Sequence, residues 1–228
     1  MIADIDRAKG AITAEPGVYA PQHDSVLLLL HALRESSLPA GAQVLDLCTG
    51  SGILAIGAAL LGAGHIVALD ISADAVKCAQ TNAVDSGVRI DVRQGDLSDA
   101  LLAGPFDVVI CNPPYVPAEP SNEHVLAWDA GIDGRLLLDP LCRNAGLLLR
   151  KGGFVLIVHS EFSGPDQSIR QLRAAGLKAS VVARRTVDFG PIMQARADWL
   201  EMVGVLEKGR RREELVVIRG DREGSDGA

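Results

Sequence analysis

The chain has 228 residues, with 22 lysines and arginines against 29 aspartates and glutamates, giving a formal net charge of −7. A hydrophobic share of 48% beside 22% charged residues excludes disorder as the main state. The longest apolar run near the start, Val26 to Leu30, is far shorter than the roughly 20 residues of a membrane span. The acidic balance disfavours a nucleic-acid partner, because non-specific duplex binding relies on lysine and arginine neutralising phosphates. These features predict a cytoplasmic protein without a secretory leader, one domain over residues 1–220 and a disordered tail, 221–228, with nothing apolar to bury.

In chain order, short β-rich runs alternate with helical patterns. The strands are predicted at Gln43 to Cys48, His65 to Asp70, Val88 to Arg93, Phe106 to Cys111 and Gly153 to His159. Helices are predicted between them at Ile53 to Leu61, Ala73 to Ser86 and Leu136 to Arg150. Two further strands, Lys178 to Val187 and Glu214 to Arg219, flank a helix at Ile192 to Leu206 that presents Trp199, Leu200, Met202 and Val203. The strands are nearly all apolar, as burial on both faces demands. The alternation predicts an α/β fold, a mostly parallel sheet with helices on both faces. The cysteines Cys48, Cys78, Cys111 and Cys142 never reach C-x-x-C spacing, so buried reduced thiols are expected and no metal site.

Chemistry concentrates where strands end. The stretch from Asp46 through Thr49 and Gly50 to Gly52 is a buried strand running into a glycine turn and then a helix. Such a turn lets a ligand approach the backbone, and the helix N-terminus offers free N–H groups. A dinucleotide fingerprint needs a third small residue, and Ala55 satisfies that, so the turn alone leaves a nicotinamide cofactor open. Asp70 ends the second strand 18 residues after Gly52, where a carboxylate either accepts both ribose hydroxyls of an adenosine or caps the helix near Ser72. Asp96, after the third strand, either accepts from an adenine amino group or forms a turn.

The sharpest signal is Asn112-Pro-Pro-Tyr115, directly after the fourth strand. Consecutive prolines cannot extend a sheet, so the chain leaves it at the carboxyl edge, where open α/β sheets bind ligands. The amide oxygen of Asn112 and the Pro113 carbonyl can each accept one N–H of a planar NH₂ group, with Pro114 stiffening the bend and Tyr115 stacking on the plane. A proline-stiffened loop without chemistry is the alternative.

The Asp46, Gly50, Gly52 turn, Asp70, Asp96 and Asn112-Pro-Pro-Tyr115, in that order, resemble the class I S-adenosylmethionine-dependent methyltransferases. The last motif (NPPY) is shared by HemK-type protein-glutamine methyltransferases and by adenine-amino methyltransferases of DNA or RNA. The resemblance covers residues 16–219. It implies a Rossmann-like, seven-stranded, mostly parallel sheet with an antiparallel last strand, and S-adenosyl-L-methionine as cofactor. It implies a cofactor site of Tyr19, Ser25, Asp46, Thr49, Gly50, Gly52, Asp70, Asp96, Leu97 and Asn112, with Asp24 also at the methionine end. It implies an acceptor site of Asn112, Pro113, Pro114 and Tyr115, in which Asn112, Pro113 and Tyr115 act in transfer.

The segment from Glu15 to Leu29 is similar to the part of the short HemK-like branch that folds over the cofactor, and Trp128 to Arg135 resembles the glycine-rich loop that follows the NPPY motif. The chain departs from the pattern at Ala20 and His23, where glutamates are common, and at Cys48, where glycine is usual. The resemblance is to the short branch, which is without the N-terminal helical domain of the longer enzymes. Short relatives use a small zinc-binding activator subunit, so such a partner is implied here. Gly190 to Arg212 is longer than that branch leads one to expect.

Three functions compete: methylation of a protein glutamine on a release factor or other translation factor, adenine-amino methylation of DNA or RNA by base flipping, and a non-catalytic cofactor-binding module. The intact NPPY motif speaks against the last. The run Lys208 to Arg212 reads as a solvated turn and not a basic stripe, which speaks against the second. Transfer to an amide needs no general base, and His124 and His159 are expected at the surface or a sheet edge.

Overall fold

The computed structural model describes residues 23–119 and 130–224, apart from the side chains of residues 23–25, 27 and 28. The strands are β1 (Gln43–Leu47), β2 (His65–Asp70), β3 (Asp91–Gln94), β4 (Phe106–Cys111), β5 (Leu149–Ser160), β6 (Leu177–Asp188) and β7 (Arg212–Arg222). They form one sheet in the order β3-β2-β1-β4-β5-β7-β6. The pairs from β3 to β5 are parallel, while β7 lies antiparallel between β5 and β6. Completely apolar stretches such as Val108–Cys111 and Val155–Val158 are buried, as strands covered on both faces require.

Helices α1 (His23–Glu35), α2 (Ile53–Leu60) and α3 (Ala73–Asp85) pack side by side as one layer. The second layer is α4 (Leu97–Ala103), α5 (Leu138–Leu148) and α6 (Pro165–Ala174). A seventh helix, α7 (Pro191–Met202), stands in the β6–β7 connection. No helix among the described residues is long and apolar enough to cross a membrane.

Several expectations change. β7 continues two residues past Gly220, because Asp221 and Arg222 pair with Lys178 and Leu177 of β6; residues 225–228 lie outside the described residues. β5 starts at Leu149, where the predicted third helix was still running, and a register shift opposite Phe106 and Val108 accommodates Gly152. β3 is only partly covered, and β6, at the sheet edge, alternates buried and exposed residues. In α7, Leu200 is buried, but Met202 is 79% exposed and Val203 lies half in solvent. Helices α1, α4 and α6 are additions to the predicted set.

The topology aligns one edge. The carboxyl ends of β1, β2, β3, β4 and β5 emerge side by side, and antiparallel β7 begins at that edge. Leu47 is in register with Cys111, so the glycine turn and Asn112 leave the sheet as neighbours.

Candidate active site

After β1 the chain turns through three left-handed residues, Cys48 (φ 63°), Gly50 (φ 54°) and Gly52 (φ 82°). Each glycine is required for its own reason. A side chain on Gly52 would meet Ala79 of α3 at 3.0 Å, whereas the space around Gly50 is open, leaving its backbone accessible to a ligand. Cys48 accepts a conformation that glycine would adopt without strain.

Two carboxylates tie the turn together. Asp46, fully buried, accepts from Thr49 Oγ1 at 2.7 Å and from the Ala55 N–H at 3.0 Å through one oxygen. Its other oxygen, Oδ1, is buried and has no partner among the described residues. Burial raises its pKa to about 7, against the lowering influence of the Thr49 and Ala55 bonds. An orphaned oxygen of this kind suits a cationic ligand group. Asp70 accepts the Gly50 N–H at 2.9 Å and the Ser72 N–H at 3.0 Å, and burial raises its pKa too. The cap of α3 is Ser72, not Asp70. Asp70 thus bridges the ends of β1 and β2, where the notion of a helix cap had competed with a ribose acceptor.

Thr49, expected in the cofactor site, turns its hydroxyl to Asp46. Asp96 caps α4: Oδ1 accepts from Ser98 N–H at 2.7 Å, and Asp99 answers by accepting the Asp96 N–H at 3.0 Å. The Ser98 bonds hold its pKa below the usual range. Leu97 opens that helix, partly buried against the core. The Gly95 N–H bonds to the Asp70 carbonyl at 2.9 Å, which keeps this third exit beside the second. Tyr19 and the side chains of Asp24 and Ser25 lie outside the described residues, as does His124.

At the end of β4, Asn112 is half-buried with Oδ1 buried, Pro113 is buried, Pro114 is half-buried and Tyr115 is 8% exposed. The residues that hold this motif come from elsewhere in the chain. Ser163 Oγ donates to the Tyr115 carbonyl at 2.6 Å. Gly134 (φ 74°) passes so near that a Cβ there would lie 2.3 Å from the same oxygen. The Ala118 N–H bonds to the Gly131 carbonyl at 2.9 Å.

Arg135, 4% exposed, organises the loop. It donates to the carbonyls of Ser163 and Gly164, to Ser168 Oγ at 3.2 Å and to Gln171 Oε1 at 3.2 Å, and it pairs with Asp139 at 2.7 Å. A buried guanidinium with so many acceptors is fully compensated. From α7, Arg196 Nη1 donates to the carbonyls of Val116 at 2.9 Å and Pro117 at 3.1 Å.

Sequence reasoning missed Asn82, Ser163 and Arg196. Asn82 had a signal: it is a polar residue on the apolar stripe of α3, and its amide donates to the Ser51 carbonyl at 2.8 Å. His159 is fully buried, not at the surface, with Nε2 at 3.0 Å from Ser168 Oγ and Nδ1 at 2.9 Å from the Ser160 carbonyl. Burial lowers its pKa to about 4, so it is neutral.

The cysteines are free, three of them buried and Cys48 half-buried. Burial, then the adjacent Cys48 sulfur, holds the Cys111 thiol above its ordinary value. Among the described residues no cluster of three potential metal ligands occurs. The run from Lys208 is a turn at first, but its arginines are engaged: Arg210 stacks 4.9 Å from the Phe162 ring and pairs with Glu161, and Arg211 pairs with Glu201 at 2.6 Å.

The model of the methyltransferase small domain family matches residues 9–186. The chain is 35% identical over 202 residues to a protein of Methanocaldococcus jannaschii named as a protein N5-glutamine methyltransferase, covering 86% of this chain and 98% of that one. It is 34% identical over 179 residues to the release factor glutamine methyltransferase of Deinococcus radiodurans, covering 75% of this chain but 64% of that enzyme. Among solved structures, it is similar in fold to the E. cuniculi Mtq2–Trm112 complex responsible for methylation of the termination factor eRF1. That similarity has a TM-score of 0.64 at 19% identity, over 91% of this chain and all of the other.

Proposed function

Because the chain belongs to the methyltransferase small domain family, we propose that it methylates the side-chain amide nitrogen of a glutamine in a cytoplasmic protein of translation, such as a release factor. S-adenosyl-L-methionine is the methyl donor, and it supplies a sulfonium methyl open to in-line displacement. In this reading Gly50, Gly52 and Asp70 hold its adenosine, with Asp96 and Leu97 at the adenine. Asp46, Tyr19 and Ser25 serve the methionine end.

The observation that carries the reading is the register of Leu47 with Cys111, which sets Asn112 beside the glycine turn. A glutamine amide is a poor nucleophile because its lone pair is delocalised into the carbonyl. Asn112 Oδ1 and the Pro113 carbonyl would each accept one N–H, orienting the nitrogen and stabilising the positive charge that develops on it. Pro114 and Tyr115 would close the pocket around the amide plane. Alignment of the two reactants is worth as much as about 7–11 kcal/mol. No general base is required, since an N-methylated amide cation is strongly acidic, and buried neutral His159 is occupied by Ser168 and Ser160.

The match to two short-chain proteins and the net charge of −7 support a protein acceptor over adenine in DNA or RNA. The complex with Trm112 supports a small partner subunit for this chain too; that this subunit activates the chain and binds zinc is part of the same proposal. Incubation with radiolabelled donor in cell extract, followed by protease or nuclease, tests the reading. Label lost to protease and mapped by mass spectrometry to a methylated glutamine is expected; label lost to nuclease overturns it in favour of the adenine reaction.

A further inference from the structure

Three of the six residues from Asn112 to Pro117 are prolines, so the segment has few N–H groups and does not continue the strand. β4 anchors one end at Cys111, paired with Leu47 on one side and Ile157 on the other. The opposite end has no sheet to hold it. Its carbonyls are taken instead by side chains: Tyr115 by Ser163, and both Val116 and Pro117 by the single guanidinium of Arg196. Arg196 reaches back 80 residues to do so. It stands on α7, whose Met193, Ala197 and Leu200 are buried in the core, so the helix is a fixed platform.

We propose that Arg196 is a positioning residue for methyl transfer: by clamping Val116 and Pro117 it holds the span from Asn112 to Tyr115 taut between two anchors. This assigns a task to the long β6–β7 connection, and its catalytic consequence rests on the glutamine reading given above. A guanidinium suits the task because its Nη1 carries two N–H donors, one for each of two adjacent carbonyls, held in a fixed plane that a rotating ammonium lacks. Asn112 lies inside the clamped span and the glycine turn outside it. Loss of the clamp is therefore felt by the acceptor amide and not by the cofactor.

The test uses the full chain with S-adenosylmethionine bound, comparing wild type with Arg196→Ala and Arg196→Lys. Hydrogen exchange read by mass spectrometry should rise about fivefold or more for the amides of residues 115–119 in Arg196→Ala, while peptides from β1 and β2 stay as they are. With a glutamine-bearing acceptor, kcat should fall about 30- to 100-fold while cofactor affinity stays within about threefold. Arg196→Lys should fall between the two, and guanidinium ion well below denaturing concentration should partly restore Arg196→Ala.

Unchanged exchange at residues 115–119 in both variants overturns the proposal. So does a rate loss matched by equal losses of cofactor affinity and melting temperature, the mark of a merely structural role. A wild-type chain inactive on every glutamine acceptor defeats the functional reading instead, and the exchange measurement still decides the clamp.

Discussion

The two halves of the candidate site are held by bonds of very different reach. Around the glycine turn the hydrogen bonds to Asp46 and Asp70 span 3, 9 and 20 residues. Around Tyr115 the corresponding bonds span 28, 48 and 80 residues, from Arg135 to Ser163, Ser163 to Tyr115 and Arg196 to Val116. The cofactor half is the more local device, completed by β1, β2 and the helices that follow them, with Asn82 of α3 reaching 31 residues back to Ser51. The acceptor half exists only when the rest of the chain has folded around it, since each long-range bond must offset the entropy of closing its loop. Cofactor binding and methyl transfer should therefore be separable by mutation.

The largest separation is expected from Asn112→Ala. Transfer should drop on the order of 10²–10³-fold, as for loss of an electrostatic acceptor at a reacting centre, with cofactor affinity by calorimetry within a few-fold. Equal losses of both would join the two halves and make Asn112 structural. Next comes a matched glycine pair. Gly134→Ala drives a methyl group into the Tyr115 carbonyl at a positive φ, and should lower kcat by about 10²-fold. Gly52→Ala, pressed against Ala79, should weaken cofactor binding by about tenfold instead. If the two variants show the same profile, the distinction fails.

A smaller effect concerns pH. Asp46 has its folded pKa raised to about 7 by burial, so the protonated form is the one the fold favours. The stability this contributes is complete below the unfolded value near 4 and is lost as pH rises through 7. Asp46→Asn removes that loss. Without cofactor, the variant should melt on the order of 5 °C above wild type at pH 8, with the gap closing toward pH 5. A gap that does not change with pH would mean that Asp46 is ionised throughout. The smallest effect is Cys48→Gly, which relieves a left-handed cysteine and should raise stability by about 0.5–1 kcal/mol, measured by denaturant unfolding.

What the sequence disclosed follows the same division. Asp46, Gly50, Gly52 and Asp70 were legible because a turn that needs positive φ favours glycine and a strand-end carboxylate has few other tasks. Asn112-Pro-Pro-Tyr115 was legible because two prolines forbid the strand to continue. Ser163 and Arg196 were not, since a serine in a short loop and an arginine on a helix carry no local mark of a bond made 48 or 80 residues away. α4 escaped because it is only seven residues long, and its cap, Asp96, was legible only as an adenine acceptor or a turn former. β6 was legible to within one residue at each end even though its edge position exposes one face and its residues alternate.

The place of β7 bears on how the molecule is made. A ribosome releases β5 and β6 well before the strand that must slide between them, so during synthesis these two have an empty lane of backbone donors and acceptors between them. The lane fills only after residue 222 has emerged, when Leu215 to Ile218 bring the most deeply buried segment of that strand into place. A nascent chain stalled before residue 212 would carry the glycine turn already shaped and an acceptor edge still waiting for its far wall.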